Sequence, residues 1–290
     1  MSASGYDVAV AYRVYPHPSA NPPRVYAEDK FKLVELCLRS FKASLGGLRV
    51  RLWVLLNDCP PRYEKLFRQV WPAADLVFRY YPGVPPGTTL HEQSQILLGQ
   101  TDAELVYWAE DDYFYLPGQF AQAVDFLRQH PDADFVSPYD HPDYYTTDLH
   151  RFRSRQRTVA GRVWSSRLSN THTILARHRA LQAAQRVFLT FHGRVNFDLA
   201  MWMALTKRCV FNPVKLLRWS VANRFWAGSI LLAWYYFWRQ ILFGRRYQLW
   251  VPRPALATHM ITTLESPGVD WPEAIRQFEV QLAAASSEAD

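Results

Sequence analysis

Short apolar runs alternate with amphipathic stretches through the first half of the chain. Four runs rich in β-favouring residues predict strands at residues 8–12, 50–56, 76–80 and 105–109. Apolar residues at helical spacing predict helices at residues 27–45, 62–71 and 89–99. Repeated strand–helix units favour a parallel sheet with helices on its faces. We therefore expect an α/β protein.

The pattern becomes less regular after residue 116. Helices are expected at residues 117–129, 180–191 and 197–205, and strands at 134–138 and 171–176. Residues 151–167 contain many Arg and little apolar periodicity, so they are either a mobile solvated loop or a lid that closes over phosphates.

Residues 216–243 are apolar and unusually aromatic. The longest run without charge, residues 225–238, is too short to span a bilayer. Basic, Trp-rich helices lie in membrane interfaces, and they also pack against neighbouring domains, so both interpretations stand. The residues expected to attract or enter a membrane are Arg224, Arg239, Arg245, Arg246, Trp226, Trp234 and Trp238.

The strand predicted at 105–109 ends in three consecutive carboxylates, Glu110, Asp111 and Asp112. Ligands bind at the carboxyl ends of strands in open α/β sheets. Adjacent carboxylates repel one another unless a cation or solvent relieves them, and Mg²⁺ or Mn²⁺ prefers such oxygen ligands. The segment is either a divalent-cation site or a solvated acidic turn.

The amino-acid composition limits the classes of ligand and partner that the protein is expected to bind. The 33 Lys and Arg against 26 Asp and Glu give a charge of +7, which suits phosphate-bearing ligands or an anionic membrane surface. The charge is spread without a recognisable motif, which argues against nucleic acid. Three separated cysteines indicate neither a disulfide framework nor a zinc site. Because residues 1–7 contain no basic apolar leader, we expect a cytoplasmic protein. If residues 216–243 bind a membrane, the protein would be peripheral on the inner face of the cell membrane.

The order of these features resembles the GT-A glycosyltransferases, most nearly the family 2-like bacterial enzymes, over residues 6–210. The resemblance implies a Rossmann-like nucleotide-diphospho-sugar transferase fold, with a mainly parallel central sheet and helices on both faces. It divides the chain into a catalytic domain, residues 1–212, and a C-terminal aromatic helical extension, residues 213–290. Within the first, residues 1–115 would bind nucleotide and 116–212 the acceptor.

The resemblance also implies roles for the donor side of the site. Tyr12 and Arg13 stand where a first-strand contact to the base is expected, and Asp58 where an acid ends the second strand. Glu110 would contact the ribose, or a metal through water, and Asp111 would orient the turn.

A metal and its ligands follow from the same resemblance. The Glu110 segment takes the position of the D-x-D motif, with Asp112 as the direct ligand of Mn²⁺ or Mg²⁺. His259 is the candidate for a ligand near the C-terminus, although a lone His is more often structural.

The acceptor side is predicted from three short segments. Residues 196–202 resemble the family's E-D-x-D-L-W segment, in which Asp198 would be the general base, while Asn196 replaces an expected acid. The alternative is that Asp198 only caps a helix. Residues that would contact the sugar or acceptor are Asp140, His141, Thr171 and His172.

The expected activity is metal-dependent transfer of a sugar from a nucleotide-sugar donor to a hydroxyl of a glycan or lipid-linked acceptor, with inversion. Two alternatives remain. A nucleotidyltransferase shares the sheet and the acid-bound metals, but the chain lacks the glycines expected after its first strand. A non-catalytic GT-A-like carbohydrate-binding protein would keep the sheet and account for the altered Asn196 segment.

Overall fold

The computed structural model describes residues 5–17, 21–171, 173–190 and 198–287. Its strands are β1 (Val8–Val14), β2 (Val50–Asn57), β3 (Leu76–Tyr81), β4 (Leu105–Glu110), β5 (Tyr113–Tyr115), β6 (Phe135–Val136), β7 (Gln156–Val159), β8 (Arg162–Arg167), β9 (Ile174–Arg177), β10 (Leu249–Arg253) and β11 (Ala257–His259). Its α-helices are α1 (Lys30–Ser44), α2 (Pro61–Val70), α3 (Pro86–Gly99), α4 (Phe120–Gln129), α5 (Asp143–Thr146), α6 (His178–Phe188), α7 (Asp198–Thr206), α8 (Pro213–Ala222), α9 (Arg224–Leu242) and α10 (Trp271–Ser287).

One large sheet organises these elements in the order β3-β2-β1-β4-β9-β6-β10-β8-β7. The strands β3, β2, β1 and β4 are mutually parallel, β9 runs antiparallel to β4 and β6, and β10 is parallel to β6. A small antiparallel pair, β5 with β11, stands beside it. The predicted fold class, a mainly parallel central sheet flanked by helices, is confirmed.

The large sheet separates two hydrophobic cores, one on each face, and successive side chains of β1 point into them alternately. Ala9 and Ala11 face a core shared with α3, α6, α7 and α9, and Val10 faces one shared with α1, α2 and α4. All three are completely buried. Burying an aliphatic side chain of valine size contributes about 1.5–3 kcal/mol, so helices cover both faces of the sheet to exclude water.

The start of helix α1 determines where Lys30, a residue of the candidate site, is located. The Asp29 carboxylate accepts a hydrogen bond from the backbone N–H of Lys32 (3.1 Å) and caps the first turn. Gly46, with φ +58°, follows the helix, where a left-handed residue terminates it at low cost. The cap starts the helix at Lys30, close to the carboxyl edge of β4.

Residues 151–167 are not an irregular loop, because most of them form the β7–β8 hairpin at one end of the large sheet. The turn places Ala160 and Gly161 at φ +50° and +75°, as a tight hairpin requires. Two of its arginines are anchored: Arg157 pairs with Asp132, and Arg162 donates to the carbonyl oxygen of Pro254 (2.6 Å).

Residues 213–290 are not a separate helical extension, so the predicted boundary at 212 is corrected. Strand β10 lies between β6 and β8 in the large sheet, where Leu249, Trp250 and Val251 are buried. Helix α10 contributes Trp271 and Phe278 to a core shared with α1. The apolar β10 completes the sheet core, which joins this region to the rest of the fold.

Helices α8 and α9 form the aromatic part of the C-terminal region, and α9 packs against both α7 and α8. The Asn223 side chain accepts from the backbone N–H of Trp226 (3.2 Å) and caps α9. No helix in the described ranges is long and apolar enough to cross a membrane.

Candidate functional site

A cleft opens where β1, β2 and β4 end. Strand order reverses at β1, since β2 and β3 lie on one side of it and β4 on the other. Such a switch point leaves a crevice at the carboxyl ends of the strands. We call it the carboxylate cleft; its lining residues are Arg13, Tyr15, His17, Lys30, Asn57, Pro86, Thr89, Glu110, Asp111 and Asp112.

Glu110 is held by Arg13 across the switch point. The two residues are directly opposed in the β1–β4 register, and Arg13 donates to Oε2 of Glu110 through Nε (2.9 Å) and Nη2 (2.7 Å). A further nitrogen, Nη1, donates to the carbonyl oxygen of Pro86 (2.9 Å). Burial lowers the pKa of Arg13, but the charge and hydrogen bond of Glu110, together with the charges of Asp111 and Asp112, raise it overall. Arg13 therefore neutralises Glu110.

Asp111 is held in the same way by the first residue of α1. The ammonium of Lys30 lies 2.8 Å from Oδ1 of Asp111, and the backbone N–H of Tyr15 donates to Oδ2 (2.8 Å). Burial raises the pKa of Asp111, and Lys30 opposes that shift. Burial lowers the pKa of Lys30, but the Asp111 and Asp112 charges raise it above its ordinary value. The predicted turn-orienting role of Asp111 is consistent with this buried pair.

Asp112 differs from its two neighbours. Its side chain is 27% exposed to solvent. Nε2 of His259 lies 3.5 Å from Oδ2 of Asp112. His259 reaches it because β11 pairs with β5, opposing His259 to Tyr113. In the described part of the chain, no Lys or Arg lies within ion-pair distance of Asp112. The cleft thus has one carboxylate without a cationic partner.

The two predicted metal ligands therefore meet, but they fit the role unequally. Asp112 offers an accessible carboxylate of the kind that Mg²⁺ and Mn²⁺ bind. Nδ1 of His259 accepts a hydrogen bond from the backbone N–H of Ile261 (3.1 Å), so a neutral ring carries its proton on Nε2. That tautomer presents an N–H to Asp112, so His259 as oriented does not fit its predicted role as ligand.

No group of three or more His, Cys, Asp or Glu side chains in the described ranges is arranged to hold a metal ion by itself. A cation at Asp112 would need most of its ligands from water or from a bound substrate. Mg²⁺ is commonly held in this way, by one or two carboxylates together with substrate phosphates.

Two other donor-side predictions have different outcomes. The Tyr12 side chain is completely buried, with its ring 5.4 Å from that of Phe67, because it points into the core beneath α1 and α2. Tyr12 therefore does not line the cleft. Asp58 follows β2 at φ +58° and lies at the rim, where Nε2 of His17 is 3.4 Å from its Oδ2.

The structure adds cleft residues that the sequence did not reveal. Lys30 is the most consequential, and its only local signal is a place just after the helix cap Asp29. Asn57 fixes the loop after β3 through reciprocal hydrogen bonds with the backbone of Val84 (2.8 and 2.9 Å). His17 stands in a Pro-rich loop without a recognisable pattern.

A second cavity contains Asp198, the first residue of α7. We call it the Asp198 cavity; its lining residues are His141, Asp143, Tyr144, Leu149, His150, Ser169, Asn170, Thr171, Asp198, Leu199, Phe225 and Trp226. It brings together three predicted acceptor-side residues, His141, Thr171 and Asp198. Two residues of the prediction, His172 and Asn196, lie outside the described residues.

Asp140 does not line this cavity. Its side chain is fully buried, accepts a hydrogen bond from the Tyr145 hydroxyl (2.5 Å), and lies 3.8 Å from Arg167. Burial raises the pKa of Asp140 to about 6. Asp140 therefore supports the loop that carries His141 and is not exposed to a ligand.

The Asp198 cavity has little positive charge of its own. Burial, followed by the nearby Arg167, lowers the pKa of His150 to about 3. Burial also lowers the pKa of His141. Both rings are uncharged at neutral pH, so they act there as hydrogen-bonding groups.

Tyr113 links the two sites. Its hydroxyl forms a hydrogen bond with Oγ1 of Thr171 in the Asp198 cavity (2.8 Å), and its ring lies 4.8 Å from that of His259. Since Tyr113 directly follows Asp112, the cleft and the cavity are neighbours on one side of the molecule.

No protein-family model matches this chain, and no curated protein matches it. Among solved structures, it is similar to S. aureus TarS 1–349 in complex with UDP-GlcNAc and with UDP, at 13% and 14% identity and TM-scores of 0.43 and 0.44. These similarities cover 68% of this chain and 52% and 54% of those chains, so the chain spans about half their length.

A second similarity is to 4-diphosphocytidyl-2C-methyl-D-erythritol synthase from Anaerococcus prevotii, at 10% identity and a TM-score of 0.42, over 71% of this chain and 84% of that one. At such identities the similarity concerns the fold alone. The fold itself is an α/β sheet with helices on both faces.

Proposed function

We propose that the protein is a metal-dependent glycosyltransferase that moves a sugar from a nucleotide-sugar to a hydroxyl of a glycan or lipid-linked acceptor, with inversion. The observation that carries the proposal is the unequal treatment of three adjacent carboxylates at the end of β4. Arg13 neutralises Glu110 and Lys30 neutralises Asp111, whereas Asp112 remains accessible.

The charges of the cleft explain why a cation belongs to the proposal. Three carboxylates and two cationic side chains leave one negative charge, at Asp112, when His259 is neutral. A diphosphate entering alone would meet this charge and be repelled. A divalent cation held by Asp112 would reverse the sign and stabilise the charge that develops on the leaving diphosphate.

The chain's own residues then have separate tasks. Arg13 and Lys30 fix the two inner carboxylates, so that the turn holds Asp112 in one position. Asp58 and His17 stand at the rim, where the base or ribose of a nucleotide would contact them. Asn57 holds the loop that forms the side of the cleft.

Asp198 would act on the acceptor. The carboxylate takes the proton of an acceptor hydroxyl as that oxygen bonds to the anomeric carbon. The bond between this carbon and the phosphate oxygen breaks, and the nucleoside diphosphate leaves with the electron pair. Attack from the face opposite the leaving group gives inversion. The hydrogen bond between the hydroxyl groups of Tyr113 and Thr171 supports this assignment, because it makes the Asp198 cavity a neighbour of the cleft.

The deciding experiment measures binding of a panel of nucleoside diphosphates by calorimetry, with Mn²⁺ and with EDTA. We expect binding to strengthen with Mn²⁺, and Asp112→Asn to lose that dependence while remaining folded. Asp125→Asn, an exposed acid on α4, is the matched control. Equal affinity in EDTA and in Mn²⁺ would refute the metal role.

Turnover then separates the remaining functions. A glycosyltransferase incubated with nucleotide-sugar and acceptor releases nucleoside diphosphate, whereas a nucleotidyltransferase incubated with nucleoside triphosphate and sugar phosphate releases inorganic diphosphate. Binding without either product would support the non-catalytic carbohydrate-binding alternative.

A further inference from the structure

The outward side of α8 and α9 is an apolar surface. Of the seventeen large hydrophobic side chains that are exposed among the described residues, eleven lie on these two helices or directly after α9. We call this set the apolar face: Val214, Leu217, Val221, Phe225, Leu231, Leu232, Tyr235, Tyr236, Trp238, Leu242 and Phe243. Monomeric proteins rarely expose apolar groups in such concentration without a binding role.

Helical geometry shows that α9 is apolar on both sides. Ala227, Ile230, Ala233, Phe237 and Ile241 are buried in the core, with the spacing of one helix face. The members of the apolar face on α9 occupy the intervening positions and so point away from the protein. A routine surface helix would carry polar side chains there.

The charged residues in this part of the sequence have one sign, although Arg218 of α8 pairs with Asp148 from outside it. Residues 199–264 contain nine Lys and Arg and no Asp or Glu, although the whole chain has a net charge of only +7. Arg224 and Arg239 are exposed on α9, and neither has a carboxylate partner among the described residues. The guanidinium of Arg239 lies 5.3 Å from the centre of the exposed Trp238 ring.

The structure also corrects which residues serve this surface. Trp226 packs edge-to-face on Trp219, and Trp234 donates from its indole nitrogen to the carbonyl oxygen of Val210 (2.9 Å). Both are only partly exposed and pack against the core.

Two of the arginines predicted to face a membrane are also engaged elsewhere. Arg245 pairs with Asp134, and Arg246 donates to the carbonyl oxygen of Thr206 (2.8 Å). Of the side chains predicted to contact a membrane, Trp238, Arg224 and Arg239 are the ones turned outward and not engaged with a carboxylate or carbonyl group in the described part of the chain.

We propose that the apolar face docks on an anionic lipid bilayer, with α9 lying in the interface. Aromatic and aliphatic side chains would enter the boundary between headgroups and acyl chains, while Arg224 and Arg239 would contact anionic headgroups. A second copy of the chain fits less well, because pairing two such faces would bring arginines of the same sign together in a water-poor interface.

Docking would place the Asp198 cavity at the membrane. Phe225, a member of the apolar face, also lines that cavity beside Trp226 and Asp198. This inference about the acceptor rests on the proposed function. At the membrane surface the cavity would favour a lipid-linked acceptor over a soluble glycan, since a membrane-borne hydroxyl would approach Asp198 directly. The docking itself does not depend on catalysis.

The test is flotation of the full chain, without nucleotide, on vesicles of phosphatidylcholine alone or mixed with phosphatidylglycerol. We expect binding to the anionic vesicles that weakens as salt is raised. Arg224→Gln with Arg239→Gln should weaken it about thirtyfold, since each arginine near an anionic surface contributes about fivefold. Arg68→Gln with Arg276→Gln, exposed arginines on α2 and α10, is the control and should change little.

A second variant tests insertion. Leu231→Ser, Tyr235→Ser and Leu242→Ser together should abolish flotation, while Val280→Ser, an exposed apolar position on α10, should not. Nucleotide binding that survives in the triple variant shows that the fold and the donor site are intact, which separates this proposal from the proposed function. The proposal would be overturned if the wild-type protein did not float with the anionic vesicles at low salt. A concentration-dependent dimer in sedimentation that the triple variant removes would also overturn it.

Discussion

The carboxylate cleft and the Asp198 cavity are neighbours with opposite electrostatic designs. The cleft concentrates three carboxylates and two cationic side chains in ion pairs, and leaves Asp112 accessible. The cavity holds His141 and His150, whose pKa values are lowered by burial. The first environment suits a ligand that is charged and arrives with a counter-ion. The second suits an uncharged hydroxyl whose proton is removed.

The two regions also differ in how they are assembled. In the cleft, Arg13 and Lys30 come from positions 97 and 81 residues away from the carboxylates that they neutralise. Removing one partner there would leave a buried charge and destabilise the fold. In the cavity, Asp198 stands at the start of a helix, so changing it should affect chemistry much more than stability. The following variants test that contrast.

The largest effect is expected at Asp198. Asp198→Asn should lower turnover by about 10²–10⁴, because it removes the base that assists the transition state. Donor affinity should stay unchanged, since ground-state contacts in the cleft survive. Steady-state transfer kinetics together with calorimetry measure both quantities, with Asp125→Asn as the control. Unfolding, or unaltered transfer, would favour the helix-capping interpretation.

The Lys30–Asp111 pair tests the charge design of the cleft. Both side chains are about nine-tenths buried, so Lys30→Met should lower the free energy of unfolding by about 3–5 kcal/mol through the uncompensated Asp111 carboxylate. Adding Asp111→Asn should restore much of this. Urea unfolding measures the cycle, and Lys32→Met, an exposed lysine of the same helix, is the matched control. A double variant less stable than Lys30→Met would contradict the pairing.

The pH dependence of stability tests Asp140, which supports the loop that carries His141 beside the Asp198 cavity. Its folded pKa is raised to about 6, so the folded state binds a proton more tightly than the unfolded state does. This contribution to stability is full below about pH 4 and is lost as pH rises through about 6, which amounts to about 2–3 kcal/mol. Unfolding free energies of wild type and Asp140→Asn should therefore diverge over that interval. Parallel curves would show that Asp140 titrates normally.

The smallest effect is expected at His259. If its Nε2–H only orients Asp112, His259→Gln should weaken Mn²⁺-dependent nucleotide binding by about tenfold, as for other groups that orient a ligand. A direct metal ligand would cause a much larger loss. Calorimetry over a Mn²⁺ series distinguishes these cases, with Asp112→Asn as the reference for full loss.

The local sequence pattern was sufficient to predict the main strands and helices and part of the candidate site. Runs of β-favouring residues predicted β1, β2, β3 and β4. A buried parallel strand such as β1 or β4 must be apolar on both faces, whereas β3, at the edge of the sheet, is only partly buried. The position of Glu110 at the end of such a run placed the carboxylates at the edge where ligands bind. Arg13 was predicted as a contact to the base, and the structure places it beside Glu110 because β1 pairs with β4.

Tertiary structure decided what no short window of sequence contains. The partner of Asp111 is Lys30, the side chain of Tyr12 enters the core, and β10 inserts into the middle of the sheet. Ion pairs across the chain depend on strand order and on where helices begin. Exposure depends on which face of α9 the core covers. Hydrophobic spacing determines what an element is, but packing against distant elements determines its neighbours, because burial and electrostatic pairing act through space.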